Sequence, residues 1–152
     1  MKRDSKSFLI LCAILAVVSF VIITQDSYGQ NTGRTSDAQL LARAINGEAR
    51  GEPYEGQVAV GAVILNRVKS PDFPNTIAGV IYQPGAFTAV ADGQINVPID
   101  PNSTVYKAAQ DALNGWDPTH GCLYYWNPAT ATSKWIWSRK VVVKIGKHNF
   151  GK

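Results

Sequence analysis

Cysteine, histidine and methionine are scarce in this 152-residue chain, at two, two and one residues. Cys12 falls within an N-terminal apolar run, so Cys122 stands alone beyond it and an intramolecular disulfide is excluded there. The fold must stand on packing. Set between Gly121 and Leu123, Cys122 reads as a small buried apolar residue rather than a nucleophile. A catalytic zinc site normally takes about three protein ligands. His120 and Cys122 could supply a pair, but no third ligand falls at a convincing spacing, so neither a metal nor another cofactor is expected. Gly-rich phosphate loops and Ser-centred nucleophile motifs are also missing. Nothing points to a nucleic-acid partner.

Only one apolar run approaches membrane length. Lys2, Arg3 and Lys6 precede an uncharged stretch from Phe8 to Ile23, and polar Thr24 to Asp26 follow it. That is the layout of a secretory signal peptide. Ser27-Tyr28-Gly29 offers small residues where a signal peptidase reads, with cleavage before Gln30. The alternative is an uncleaved anchor, against which the run counts 16 residues, short of the ~20 that span a bilayer. Residues 1–29 are thus read as signal or anchor, 30–36 as a polar linker, and 37–152 as one domain outside the membrane, long enough for its own core. From Arg34 onward 12 basic residues stand against 9 acidic ones, 12 − 9 = +3. A mild positive charge suits an anionic polymer and equally an ordinary soluble surface.

Periodicity divides the domain into a helical first part and an extended last part. Ser36 reads as a helix N-cap, with Gln39 completing a capping box and Leu40, Leu41, Ala44 and Ile45 forming an apolar face. Gly47 is expected to end that helix, leaving Glu48 just past its C-terminus in a short link to Glu52. Pro53 suits the first position of a second helix running to about Val68. Its middle, VAVGAVIL from Val58 to Leu65, is apolar on every face, which marks a buried helix, and Gly61 and Ala62 admit a close neighbour. Ser70 to Asn75 is a loop, Thr76 to Tyr82 is one or two helical turns, and Gln83 to Pro101 suggests loops and a small hairpin. Asn102 or Ser103 caps a helix through Val105, Ala108, Ala109 and Ala112 that Gly115 closes. Leu123–Trp126, Trp135–Trp137 and Val141–Ile145 are strand candidates. The fold class expected is α+β, a small single domain with N-terminal helices followed by short antiparallel strands.

Carboxylates are sparse where chemistry would need them. Beyond the signal the only glutamates are Glu48, Glu52 and Glu55, within eight residues of one another. A carboxyl held against the buried helix would be partly desolvated, which keeps it protonated near neutral pH, as a general acid in glycoside cleavage requires. The competing role is a charge favouring the second helix's dipole. That fits Glu55 best, Glu52 equally with a site role, and Glu48 least, because Glu48 precedes the helix. A second constellation combines Tyr124, Tyr125, Trp126, Trp135 and Trp137 with Asn127, Thr130, Thr132 and Ser133. Sugar rings stack on aromatic faces while amides and hydroxyls meet their hydroxyls, so the mix fits a saccharide groove. Strand alternation sends about half of these rings to the core, leaving Tyr125 and one of Trp135 or Trp137 as groove candidates. Trp116 is read as packing. His148 is either a groove residue or a structural histidine.

Three segments carry a family resemblance: NGEARGEPYEGQVAVGAVILNRV from Asn46 to Val68, YQPGAF from Tyr82 to Phe87, and GKHNF from Gly146 to Phe150. Together they resemble the catalytic domain of the SleB/CwlJ family of cell-wall hydrolases, the spore cortex-lytic enzymes, over about Leu40 to Phe150. The resemblance implies a small fold related to lysozymes and lytic transglycosylases. It also implies cleavage of peptidoglycan glycan between N-acetylmuramic acid and N-acetylglucosamine, in spore cortex lysis or wall remodelling. Carried over by position, the catalytic glutamate falls on Glu48, with Phe87 and Thr88 opposite it and Tyr124 to Asn127 lining sugar sites. The full expected site is therefore Glu48 as acid, with Glu52, Phe87, Thr88, Tyr124, Tyr125, Trp126, Asn127 and His148 binding substrate. In lytic transglycosylases a single glutamate serves as acid and then base while the muramic acid 6-hydroxyl closes an anhydro ring, which accounts for the lack of an obvious second carboxylate. SleB carries an N-terminal peptidoglycan-binding domain not expected here, and CwlJ lacks the export signal expected here. Many relatives are expected to carry an aromatic residue where this chain has Gly151 and Lys152. The alternatives kept are an N-acetylmuramoyl-L-alanine amidase, which would need zinc, and a non-catalytic peptidoglycan-binding module. A monomer is expected at the cell wall or spore cortex, with an accessory spore or wall protein as a further partner.

Overall fold

The computed structural model describes residues 37–152, which form one unit. The signal or anchor, Cys12, the linker and the Ser36 cap lie outside the described residues. Helix α1 covers residues 37–49 and buries Ala38, Leu41, Ala42, Ala44 and Ile45, the face that the apolar spacing predicts. It does not stop at Gly47. The helix runs through Gly47 and Glu48 to Ala49 because that glycine is used for space: a Cβ there would collide with the Cβ of Ala89. Gln39 does not turn back toward a cap. Its amide exchanges two hydrogen bonds with the backbone of Ile99, at 2.9 and 3.0 Å, and so pins the chain that precedes the last helix.

Helix α2 (Tyr54–Lys69) starts one position later than expected, with Pro53 as its N-cap, and Glu55 occupies its first turn. Gly56 through Ile64 are all buried, as the all-round apolar sequence requires. At Gly61 an added Cβ would lie 3.0 Å from Ile45 Cδ1 and 3.2 Å from the Ala112 Cβ, so α1 and α5 (Thr104–Leu113) close on α2 at one small residue. Ser103 caps α5 by accepting a hydrogen bond from the Tyr106 N–H, and Gly115 follows it at φ +104°. Thr76 caps α3 (Ile77–Ile81) through the Gly79 N–H.

The expected hairpin between Gln83 and Pro101 does not form. A four-residue helix α4 (Thr88–Ala91) and a 3₁₀ turn at Gln94–Asn96 take its place. Each apolar piece there is too short to pair, and instead drops a single anchor into the core: Phe87, Ala89, Ile95 or Ile99. The last third holds β1 (Tyr124–Trp126), β2 (Val141–Ile145) and β3 (His148–Gly151) in an antiparallel sheet of order β1-β3-β2. Trp135–Trp137 is not a strand. Ile136–Ser138 is a 3₁₀ turn that buries Ile136 and leaves Trp135 and Trp137 half exposed. The central strand β3 carries only one bulky apolar residue, Phe150, which is fully buried against the helices' core. Helices followed by a small antiparallel sheet make the domain α+β.

Candidate active site

Glu48 stands in the last turn of α1, not beyond it, and three elements meet at its carboxylate. Its Oε1 accepts the Ala89 N–H at 3.0 Å, and its Oε2 accepts the Tyr125 hydroxyl at 3.2 Å. The Ala89 amide lies in the first turn of α4, where no intrahelical acceptor is available. Gly47 lets α4 come close enough to present it. Burial, then the negative charge of Glu48, holds the Tyr125 phenol well above its ordinary 10.0, so it stays a donor. Glu48 itself is half-buried.

Behind Tyr125 lie His148 and Glu52. The imidazole meets the Tyr125 ring edge-on at 5.4 Å, and its Nδ1 is 3.9 Å from Glu52 Oε2 with no hydrogen-bond partner among the described residues. Burial lowers its proton affinity, and Glu52 and Glu48 offset only part of that, so the ring is neutral near pH 7. The Glu52 carboxylate accepts the Lys147 N–H at 2.8 Å. It packs against Gly146, φ +58°, so closely that a Cβ there would strike it. Its side chain is 7% exposed. Glu52 thus clasps the β2–β3 turn.

On the other side of Tyr125 opens a cavity of about 320 Å³ lined by Arg67, Phe73, Tyr124, Tyr125, Trp135, Ile136 and residues 83–86. Arg67, in the last turn of α2, donates Nε–H to the Leu123 carbonyl at 2.7 Å. Its guanidinium lies 5.3 Å from the Phe73 ring centre, 5.5 Å from Phe87 and 5.8 Å from Tyr124. Burial lowers its pKa, with charge interactions with Tyr125 and Tyr124 opposing. Arg139 covers Trp135 at 4.4 Å and Tyr124 at 5.2 Å. Of the two tryptophan candidates, Trp135 lines the cavity and Trp137 does not.

The remaining expected positions divide. Phe87 is buried under Arg67 and contributes no open surface, whereas Thr88 is exposed at the start of α4. Trp126 turns away into the sheet, packed over Gly151. Asn127 accepts the Ala129 N–H with its own side chain at 2.9 Å and shapes the turn after β1. Trp116 rests on Tyr54, ring centres 6.0 Å apart, yet stays half exposed. Cys122 is buried, its thiol donates to the Thr119 carbonyl and burial raises its pKa, the state of an inert packing residue. Arg67, Phe73 and Arg139 were not singled out from the sequence. A cation ending a helix otherwise apolar on all faces is the signal that marks Arg67.

The Cell Wall Hydrolase family model matches residues 51–151. This chain belongs to that family. It is 63% identical over 127 residues to the spore cortex-lytic enzyme of Bacillus cereus, which covers 84% of this chain and 46% of that protein. The chain thus spans about half the length of the curated relatives it matches. The crystal structure of the catalytic domain of the Bacillus cereus SleB protein superposes with a TM-score of 0.73 at 65% identity, covering 78% of this chain and 91% of that one. The catalytic domain of the germination-specific lytic transglycosylase SleB from Bacillus anthracis gives 0.73 at 66% identity, covering 76% and 93%. The family resemblance carried by the three sequence segments holds, as does the fold class.

Proposed function

We propose that the domain at residues 37–152 degrades peptidoglycan as a lytic transglycosylase, cutting the glycan between N-acetylmuramic acid and N-acetylglucosamine with Glu48 as acid and base. The observation that carries this reading is the Glu48 carboxylate, held by one backbone N–H and by the hydroxyl of Tyr125, whose ring lines an aromatic cavity. The names of the relatives support it. Glu48 gives its proton to the glycosidic oxygen as the bond from muramic C1 breaks, and the two fixed donors stabilise the carboxylate left behind. The carboxylate then takes the proton of the muramic 6-hydroxyl as that oxygen bonds to C1, so the acid is restored and no water is consumed. Tyr125 steadies the oxygen that does this work. Residues 1–29 serve export or anchoring, 30–36 link, and the enzyme acts as a monomer at the spore cortex or wall.

Digestion of cortex-type peptidoglycan with residues 30–152, beside Glu48→Gln, tests the reading by mass spectrometry of the soluble products. Anhydro-muramic ends from the parent and none from the variant are expected. Reducing muramic ends would replace transglycosylation by hydrolysis, and free L-alanine termini with intact glycan would overturn the proposal in favour of an amidase.

A further inference from the structure

The cavity beside Tyr125 holds an uncompensated cation. None of its lining residues is acidic. Arg67 is packed among Phe73, Phe87 and Tyr124, its only side-chain hydrogen bond is from Nε to the Leu123 carbonyl, and no carboxylate lies within ion-pair distance among the described residues. Neither Nη group has a protein acceptor among the described residues and neither is a buried orphan, so both are open to a ligand, and the Tyr125 oxygen is already engaged with Glu48. A guanidinium packed against aromatic faces with no counter-ion gains from pairing with an anion. The aromatic walls lower the local polarity, which strengthens any charge pair formed there. Behind Trp135 and Tyr124 the guanidinium of Arg139 adds a second positive charge and braces the two rings. The planar fork of an arginine suits a carboxylate.

We propose that this cavity is a carboxylate site, in which Arg67 between Phe73, Tyr124 and Trp135 takes an acidic group borne on the muramoyl side arm of the glycan. The assignment rests on the function proposed above, since Tyr125 forms both the wall of this cavity and the contact to Glu48. The acid is either the lactyl carboxylate itself or one on an attached peptide. Occupation would lock the side arm on one side of Tyr125 while the sugar lies over Glu48 on the other. Arg67 is then a residue that reads substrate.

The test is an NMR titration of ¹⁵N-labelled residues 30–152, with the Trp135 indole and Arg67 Nε–H as reporters; the homologous SleB catalytic domain crystallises on its own. N-acetylmuramic acid, its methylamide, a muramoyl dipeptide, acetate and inorganic phosphate are the probes. Binding of N-acetylmuramic acid about tenfold tighter than its methylamide is expected, with that ratio falling to about one in Arg67→Gln and held partway in Arg67→Lys. Tighter binding of the dipeptide assigns the acid to the peptide, and equal or weaker binding assigns it to the lactyl group. Equal binding of acid and methylamide by the parent, or shifts from acetate or phosphate matching those from N-acetylmuramic acid, overturns the proposal. If Arg67→Gln does not fold, the parent's ratio decides. Repeating the titration in Glu48→Gln separates the two readings. Turnover retained by Glu48→Gln with the acid preference preserved sinks the proposed chemistry and leaves the site standing, whereas turnover lost in Glu48→Gln beside a parent that shows no acid preference does the reverse.

Discussion

Glu48 and Glu52 are four residues apart, one in the last turn of α1 and the other in the link to α2, yet the fold uses them in opposite ways. Around Glu48 every supporting contact comes from a different element: α4 gives an amide, β1 a hydroxyl, and α1 a glycine that lets α4 approach. The carboxylate is held at a half-open edge. Around Glu52 the contacts close inward, onto the Lys147 amide, the bare face of Gly146 and the edge of His148. A carboxylate fixed by distant elements beside a cavity can meet a substrate, whereas one that completes a turn serves the turn. What separates them is whether the donors around each leave a side free.

The largest effect expected from that contrast is on turnover. Glu48→Gln should lower kcat/KM on cortex peptidoglycan by about 10³-fold, the scale of losing a general acid, with its melting temperature within a few degrees of the parent. Glu52→Gln keeps an acceptor for the Lys147 N–H and should stay within about threefold of the parent rate. If Glu52→Gln is as inactive as Glu48→Gln, the division of labour drawn here is wrong.

Stability should show the reverse ranking. Gly146 sits at φ +58°, and any Cβ there strikes Glu52, so Gly146→Ala combines backbone strain with displacement of the clasp. A loss of about 2 kcal/mol, or roughly 8 °C in melting temperature, is expected, with kcat on the surviving folded fraction nearly unchanged. A fall in kcat without a fall in melting temperature would place the hairpin turn in the site.

Sequence reasoning reached the helices more readily than the strands, and the causes are specific. Helix α2 was legible because an eight-residue run with no polar face has few places to go but the core. Gly47 misled because a glycine near a helix end suggests a cap, whereas this one makes room for Ala89, a residue 42 positions away. Trp135–Trp137 has strand composition, but only Ile136 is buried, so the segment turns around that one anchor. Strand β3 was missed since His-Asn-Phe-Gly has neither alternation nor β-branching, and it is a strand because β1 and β2 bracket it. At the site, Glu48 and Tyr125 could be named from the sequence. The amide of Ala89 could not, because a backbone donor leaves no trace in residue type.

Tyr125 sharpens the comparison on the Glu48 side. Its hydroxyl is the one side-chain donor to that carboxylate among the described residues. Tyr125→Phe keeps the ring against His148 and Phe150 and removes only the donor. A bond to a charged acceptor contributes ~1.5 kcal/mol, so a roughly tenfold fall in kcat with KM little changed is expected in steady-state assays. An unchanged kcat would leave the Ala89 amide as the sole support that matters.

The smallest effect belongs to His148, which stands between the two carboxylates and belongs to the structural half of the contrast. Burial disfavours its cation, Glu52 and then Glu48 pull the other way, and Lys147 adds to the burial effect, leaving its pKa below the ordinary 6.5. The unfolded chain therefore binds the proton more readily than the folded one. The stability tied to a neutral His148 is complete above about pH 6.5 and drains as pH falls through that value toward the lower folded pKa. Urea midpoints at pH 7.5 and 5.5 should show the parent losing up to about 1 kcal/mol more than His148→Gln. Equal losses would mean that Glu52 and Glu48 stabilise the imidazolium fully, and that the two carboxylates are coupled through His148 rather than divided by it.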